Sequence, residues 1–169
     1  ERKNKFRKEY FSIYRSYYVF KVLQALTAFG AADRFAKKLI HKCLKNQVYQ
    51  PLFEIYQFKG FLDSTRNRVV GAKEHYDLAD KYLEYFILEN DIMRAYAMLA
   101  WTDNQKDNMI MIRDQMIKRY NGLFGKFDSH TFDKYYFLIR IEMNTLVGDD
   151  QSHGLLSFVK AKLVFQSIQ

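Results

Sequence analysis

Four histidines and one cysteine are the residues of this chain best suited to metal binding or nucleophilic chemistry. His41-Lys42-Cys43 is the one place where two of them lie close in sequence. Residues two apart are separated by roughly 200° around a helix, so imidazole and thiol point apart and cannot share a metal ion. His75, His130 and His153 fall in other segments. His130 and Asp133 stand three apart and would share a helical face, but two ligands fall short of the usual three or four, and helix capping explains both. A small helical enzyme would need His130, Glu142 and His153 to converge on one cavity. Gly122 and Gly125 lack the lysine and hydroxyl residue of a phosphate-binding loop. Asp77, Asp80 and Glu84 share a face as solvated acids do, and Cys43 sits on an apolar stripe as a packed thiol. The expectation is a protein that is not an enzyme and has no metal site and no cofactor.

Charge is distributed unevenly. Residues 1–46 hold 12 of the 27 Lys and Arg but only 3 of the 19 Asp and Glu, a net +9, and the rest of the chain nets −1. At the N-terminus Lys3, Lys5, Arg7, Lys8, Arg15 and Lys21 alternate with Phe6, Tyr10, Phe11, Tyr14, Tyr17 and Tyr18. Bases with interleaved aromatics are the pattern that binds single-stranded nucleic acid by charge and stacking, or lies on an anionic membrane. The same pattern arises when an aromatic face docks on neighbouring helices and leaves lysines in water. Residues Lys3, Lys5, Arg7, Lys8 and Arg15 are therefore the candidate patch for an anionic partner.

These side chains need elements to carry them. Of 169 residues, 49% are apolar and 17% aromatic, with a single proline and seven glycines. Such a chain can bury a core, and it favours long helices over strands and turns. The apolar spacing predicts eight helices: residues 4–29 (stopped by Gly30), 32–46, 50–64 (opened by Gln50-Pro51), 72–88, 90–101 (capped by Asn90 or Asp91), about 105–120, 130–147 (capped at Asp128-Ser129) and 151–167. Met93, Met98, Met109, Met111 and Met116 read as core filler, with a soft helix-binding groove as the alternative, and Trp101 reads as core. No apolar run approaches the roughly 18 residues of a membrane span. No signal-peptide pattern is visible, and a chain opening at Glu1 reads as one domain, residues 1–169, cut from a longer protein. One cysteine suits a reducing compartment, so the expected location is cytoplasmic.

Residues 130–147 are apolar on several sides. Phe132, Tyr135, Tyr136, Ile139 and Met143 form one stripe, Leu138, Ile141 and Thr145 another, with a narrow polar seam of Asp133, Arg140 and Asn144. Residues 72–88, by contrast, are half polar. Helices alternately apolar all round and apolar on one side are expected when antiparallel hairpins stack, so an all-α array of about four helical hairpins follows, with an irregular helical bundle as the alternative. Gly30 is followed at +6, +10 and +13 by Ala36, Ile40 and Cys43. Gly148 is followed at the same offsets by Gly154, Phe158 and Ala161. Ala79, Leu83 and Phe86 repeat the spacing of four then three. With its Gly-Asp turn, the stretch LVGDDQSHGLLSFVKA resembles the tetratricopeptide-repeat-like superfamily. The turn-to-small spacing is one residue longer than that family's, and the proline closing many of its repeats is absent. The resemblance implies a scaffold that grips a protein or peptide on a helical surface. Arg140 and Asn144, polar on an apolar inner helix, are the candidate partner-binding residues. The alternative is a nucleic-acid-associated regulator using the basic, aromatic-rich first helix.

Overall fold

The computed structural model describes residues 2–99, 106–123, 126–127 and 129–147, without the side chains of residues 2–6, 99, 106–110, 112–113, 117 and 142–147. Within them the chain is all-helical: α1 Arg2–Ala25, α2 Phe29–Lys45, α3 Tyr49–Thr65, α4 Val69–Leu99, α5 Lys106–Asn121 and α6 His130–Val147. These are six described helices against eight expected. The eighth, at residues 151–167, lies outside the described residues, as do Gly148, Gly154, Phe158 and Ala161. The chain divides into two compact units, Glu1–Ile87 and Leu88–Gln169, with α4 contributing to both.

The first unit is punctuated by one turn used three times. Thr27, Gln47 and Asn67 adopt left-handed backbone, with φ of 55°, 51° and 56°. The next N–H in each case reaches five residues back: Ala28 to the Leu23 carbonyl (2.9 Å), Val48 to Cys43 (3.0 Å) and Arg68 to Asp63 (2.8 Å). The left-handed residue's own N–H reaches three back, to Gln24, Leu44 and Ser64. This paired bonding satisfies carbonyls that a helix end otherwise orphans. The turns recur every 20 residues. Gly30 is not the stop expected for the first helix; it lies in the first turn of α2, and Thr27 supplies the left-handed residue instead.

Five residues beyond each of these turns an apolar side chain drops into the core: Ala32, Leu52 and Ala72, all buried. Pro51 sits buried in the first turn of α3, where its missing N–H leaves nothing unsatisfied. Ile13 and Phe20 of α1, Ala36, Leu39 and Cys43 of α2 and Ile55 of α3 complete a continuous core, onto which Tyr82, Tyr85 and Phe86 of α4 pack. Gly60 is buried because the Tyr76 ring lies against it; an added Cβ would stand 2.9 Å from three ring atoms.

The expected break at Asn90-Asp91 does not occur, and α4 runs straight through it. No glycine or proline lies between Gly71 and Gly122, and Asn and Asp cost a helix interior only a fraction of a kcal/mol, about 0.7 at most. The polar groups that read as caps serve tertiary packing instead. In the second unit Asp91 accepts bonds from Arg119 Nη2 (2.6 Å) and the Tyr120 hydroxyl (3.0 Å) of α5. The cap expected for α6 does form: Ser129 Oγ accepts the Phe132 N–H at 3.0 Å. Ile92, Ala95, Tyr120, Phe132, Tyr136 and Ile139 make this unit's core.

Candidate interaction surfaces

Helix α1 meets the core on one side only. Ile13 and Phe20 are buried, and Tyr14 and Tyr17 pack beside them. The Tyr17 hydroxyl is pushed above its ordinary pKa, first by burial and then by its bond to the Glu54 carboxylate. The aromatics interleaved with the bases are divided: Phe11 and Tyr18 face solvent at 72% and 71% exposure. Lys8, Phe11, Arg15, Tyr18, Val22 and Leu26 are all exposed, and their spacings of three and four make one ridge. Over 18 residues that ridge is about 27 Å long. Arg7 is exposed beside it. The side chains of Lys3 and Lys5 lie outside the described residues.

Between α1 and α3 a groove of about 340 Å³ is floored by Phe29, Phe58 and Phe61. Their rings meet at 5.9 and 6.0 Å. Lys21 and Glu54 wall it and pair at 2.7 Å. The α3–α4 seam carries a column of rings: His75 on Tyr56 (6.0 Å), Tyr56 on Tyr82 (5.6 Å) and Tyr82 on Tyr49 (6.0 Å), with planes within 28° of parallel. Burial raises the Tyr56 and Tyr82 hydroxyls above their ordinary pKa. His75 Nδ1 is 3.0 Å from Asp63 Oδ2, and that carboxylate lies where a Cβ on Gly71 would meet it at 2.8 Å. The His–Asp pair thus clamps α3 to the start of α4.

The solvent face of α2 carries bases that were not among the expected sites. Arg34, Lys37, Lys38, His41, Lys42 and Lys45 are exposed together there. The signal was present in their spacing of 0, 3, 4, 7, 8 and 11. Cys43 on the opposite face is fully buried, and burial pushes its thiol up to about 12. His41 and Cys43 do point apart.

In the second unit a groove of about 380 Å³ between α4 and α5 is lined by Asp91, Arg94, Met98, Met116, Arg119 and Tyr120, among others. Burial, followed by the bond to Asp91, pushes the Tyr120 hydroxyl up to about 12. Met98 and Met111 are 67% and 56% exposed, so these two are not the core filler expected of them. Met98 lines the groove between α4 and α5. Met109 and Trp101 lie outside the described side chains. Arg140 is half-buried over the Tyr136 ring at 5.8 Å, and its Nε is buried without a hydrogen-bond acceptor among the described residues. The Asn144, Glu142 and His153 side chains lie outside the description, and His130 is exposed. Among the described residues no three His, Cys, Asp or Glu groups are placed to hold a metal ion. No described helix is long and apolar enough to cross a membrane.

No family model, curated protein or solved structure matches the chain.

Proposed function

We propose that the chain is a non-enzymatic helical-repeat module of the tetratricopeptide-repeat-like kind, acting as a scaffold or adaptor that holds a protein or peptide partner. The observation that carries this reading is the α1 ridge, where Phe11, Tyr18 and Leu26 stand 72%, 71% and 68% exposed. Contiguous exposed apolar surface of this kind marks an interaction site. Its occupant is a helix that continues the stack, with acids opposite Lys8 and Arg15 and apolar residues opposite Tyr18, Val22 and Leu26. The thrice-repeated 20-residue turn supports a repeat architecture. It gives a 40-residue hairpin, longer than the roughly 34 residues usual for tetratricopeptide repeats and at the lower edge of the HEAT and armadillo range. Arg140, half-buried with its guanidinium over the Tyr136 ring, offers a second contact. Asn144 would extend that contact along α6.

The test is affinity capture at moderate salt by the whole chain and by a Phe11→Ser/Tyr18→Ser/Leu26→Ser variant. The variant should keep its helical circular dichroism and lose the partner. A folded variant that captures the same partner as strongly would reject α1 as the docking surface.

A further inference from the structure

We infer that the solvent face of α2 binds the phosphate backbone of duplex DNA. This surface is on a different helix from the ridge proposed for the protein partner, and the inference stands without that reading. Five Lys and Arg side chains, with His41 among them, occupy six of the eight exposed positions of the helix; Gly30 and Leu44 are the others. From Arg34 to Lys45 the row spans about 16 Å. The one acid of α2, Asp33, is half-buried and held by Lys59 at 3.2 Å, so it leaves the row uncompensated. None of the five cations forms an ion pair among the described residues. The row is also held in place, because Ala32, Ala36, Leu39 and Cys43 anchor the opposite side of the helix in the core.

The chemistry of the face selects among anionic partners. A membrane-surface helix inserts an apolar face, and that of α2 is already used in the core, with Leu44 its one exposed large apolar residue. Single-stranded nucleic acid is held by stacking on aromatics, but Phe29 and Phe35 are packed against the core. Exposed ion pairs with an acidic protein contribute about 0–1 kcal/mol each and need an apolar anchor beside them. A duplex is the partner for which charge alone suffices, because each neutralised phosphate releases condensed counterions. With one phosphate per about 1.7 Å of axis, 16 Å of DNA presents roughly nine charges to five cations. A helix about 10–12 Å across matches the roughly 12 Å major groove of B-DNA, whereas the deep, narrow groove of an RNA duplex excludes it. The nucleic-acid alternative raised by the composition thus finds its better support on α2 than on α1.

The test is fluorescence anisotropy with a labelled 20-bp DNA duplex of mixed sequence, titrated from 50 to 200 mM KCl. Five phosphate contacts predict a log–log salt slope of about −4.5, a loss of roughly 500-fold across that range. A Lys37→Gln/Lys38→Gln/Lys42→Gln variant, all exposed changes to a good helix former, should reduce the slope to about −2 and weaken binding at least tenfold at 50 mM. An Arg7→Gln/Lys8→Gln/Arg15→Gln variant should leave the slope within about one unit of the wild type. The inference is overturned by an unchanged slope in the folded α2 variant, by no binding at 50 mM, or by equal affinity for polyglutamate. Tighter binding to phosphatidylserine vesicles than to the duplex at the same salt would overturn it in favour of a membrane.

Discussion

Replacing the three left-handed turn residues one at a time with glycine should stabilise the first unit by unequal amounts. Thr27, Gln47 and Asn67 hold nearly the same φ, 51–56°, in the same hydrogen-bonded turn, so backbone geometry is constant across the series. The residue types are not. An L-residue pays about 1–2 kcal/mol in this region, a β-branched one the most, whereas Asn visits it routinely. Glycine removes that strain but enlarges the unfolded ensemble, an offset of about 0.4–1 kcal/mol. Thr27→Gly should therefore gain about 1 kcal/mol, Gln47→Gly about 0.5, and Asn67→Gly close to zero. Thr27 is the cleanest site, because its side chain is exposed and its bonds to Gln24 and from Phe29 are main-chain. Urea unfolding followed by circular dichroism reads the series, and 1 kcal/mol corresponds to about 2–4 °C in Tm for a chain of this size. If Thr27→Gly lowers the midpoint, or Asn67→Gly raises it as much, the repeated turn is not what ends these helices.

Cys43 should resist a thiol reagent at pH 8 in the native protein and react once the chain is unfolded, because it is fully buried and its thiol is held near 12. Cys43→Ser, which leaves a hydroxyl in that apolar site, should cost about 1–3 kcal/mol. Labelling of the native state faster than unfolding would contradict this placement. Glu89 gives a pH dependence. Burial raises its carboxyl pKa, against the opposing bonds from Ser129 and Thr131. The folded state then holds this proton more tightly than the unfolded one. The carboxyl's contribution is therefore fully present below about 4.5 and is lost as pH rises through the folded value. Glu89→Gln keeps an acceptor for the Ser129 hydroxyl, which bonds Oε1 at 2.5 Å, and should flatten that part of the stability–pH curve. An unaltered curve would place the pH dependence elsewhere.

The sequence was legible where its punctuation was conventional. The bounds of α6 match the apolar pattern from His130 to Val147, because Ser129 caps it through an ordinary side-chain bond. The C-terminal end of α2 and both ends of α3 fall within a residue of expectation, since Asn46 and Pro51 carry familiar turn and first-turn chemistry, whereas α2 starts three residues earlier than expected. The end of α1 was not legible. A helix stop is usually read from glycine, and this chain uses Thr, Gln and Asn in the left-handed position, so a 20-residue period was written in backbone angles and not in residue type. The run-through of α4 was missed for the converse reason. Asn90-Asp91 looks like a cap locally, but Arg119 and Tyr120, about 28 residues away, hold Asp91 inside a helix.

The two candidate surfaces were legible to different degrees, and the difference is itself physical. An apolar pattern reports how many sides of a helix are apolar, not how many neighbours are present to cover them. Helix α1 carries apolar residues on opposite sides, and only one side, through Ile13 and Phe20, is covered. The surplus is what the proposed docking of a protein on this ridge would use. Helix α2 has one apolar side, and the core uses all of it but Leu44. One exposed leucine gives little for a partner to bury, so a partner there must be held mainly by charge. Mutations at Phe11 or Tyr18 should therefore alter binding that survives salt, and mutations at Lys37 or Lys42 binding that does not. A single affinity measured at two ionic strengths separates the two surfaces, and a partner whose loss on Lys37→Gln is insensitive to salt would break the division.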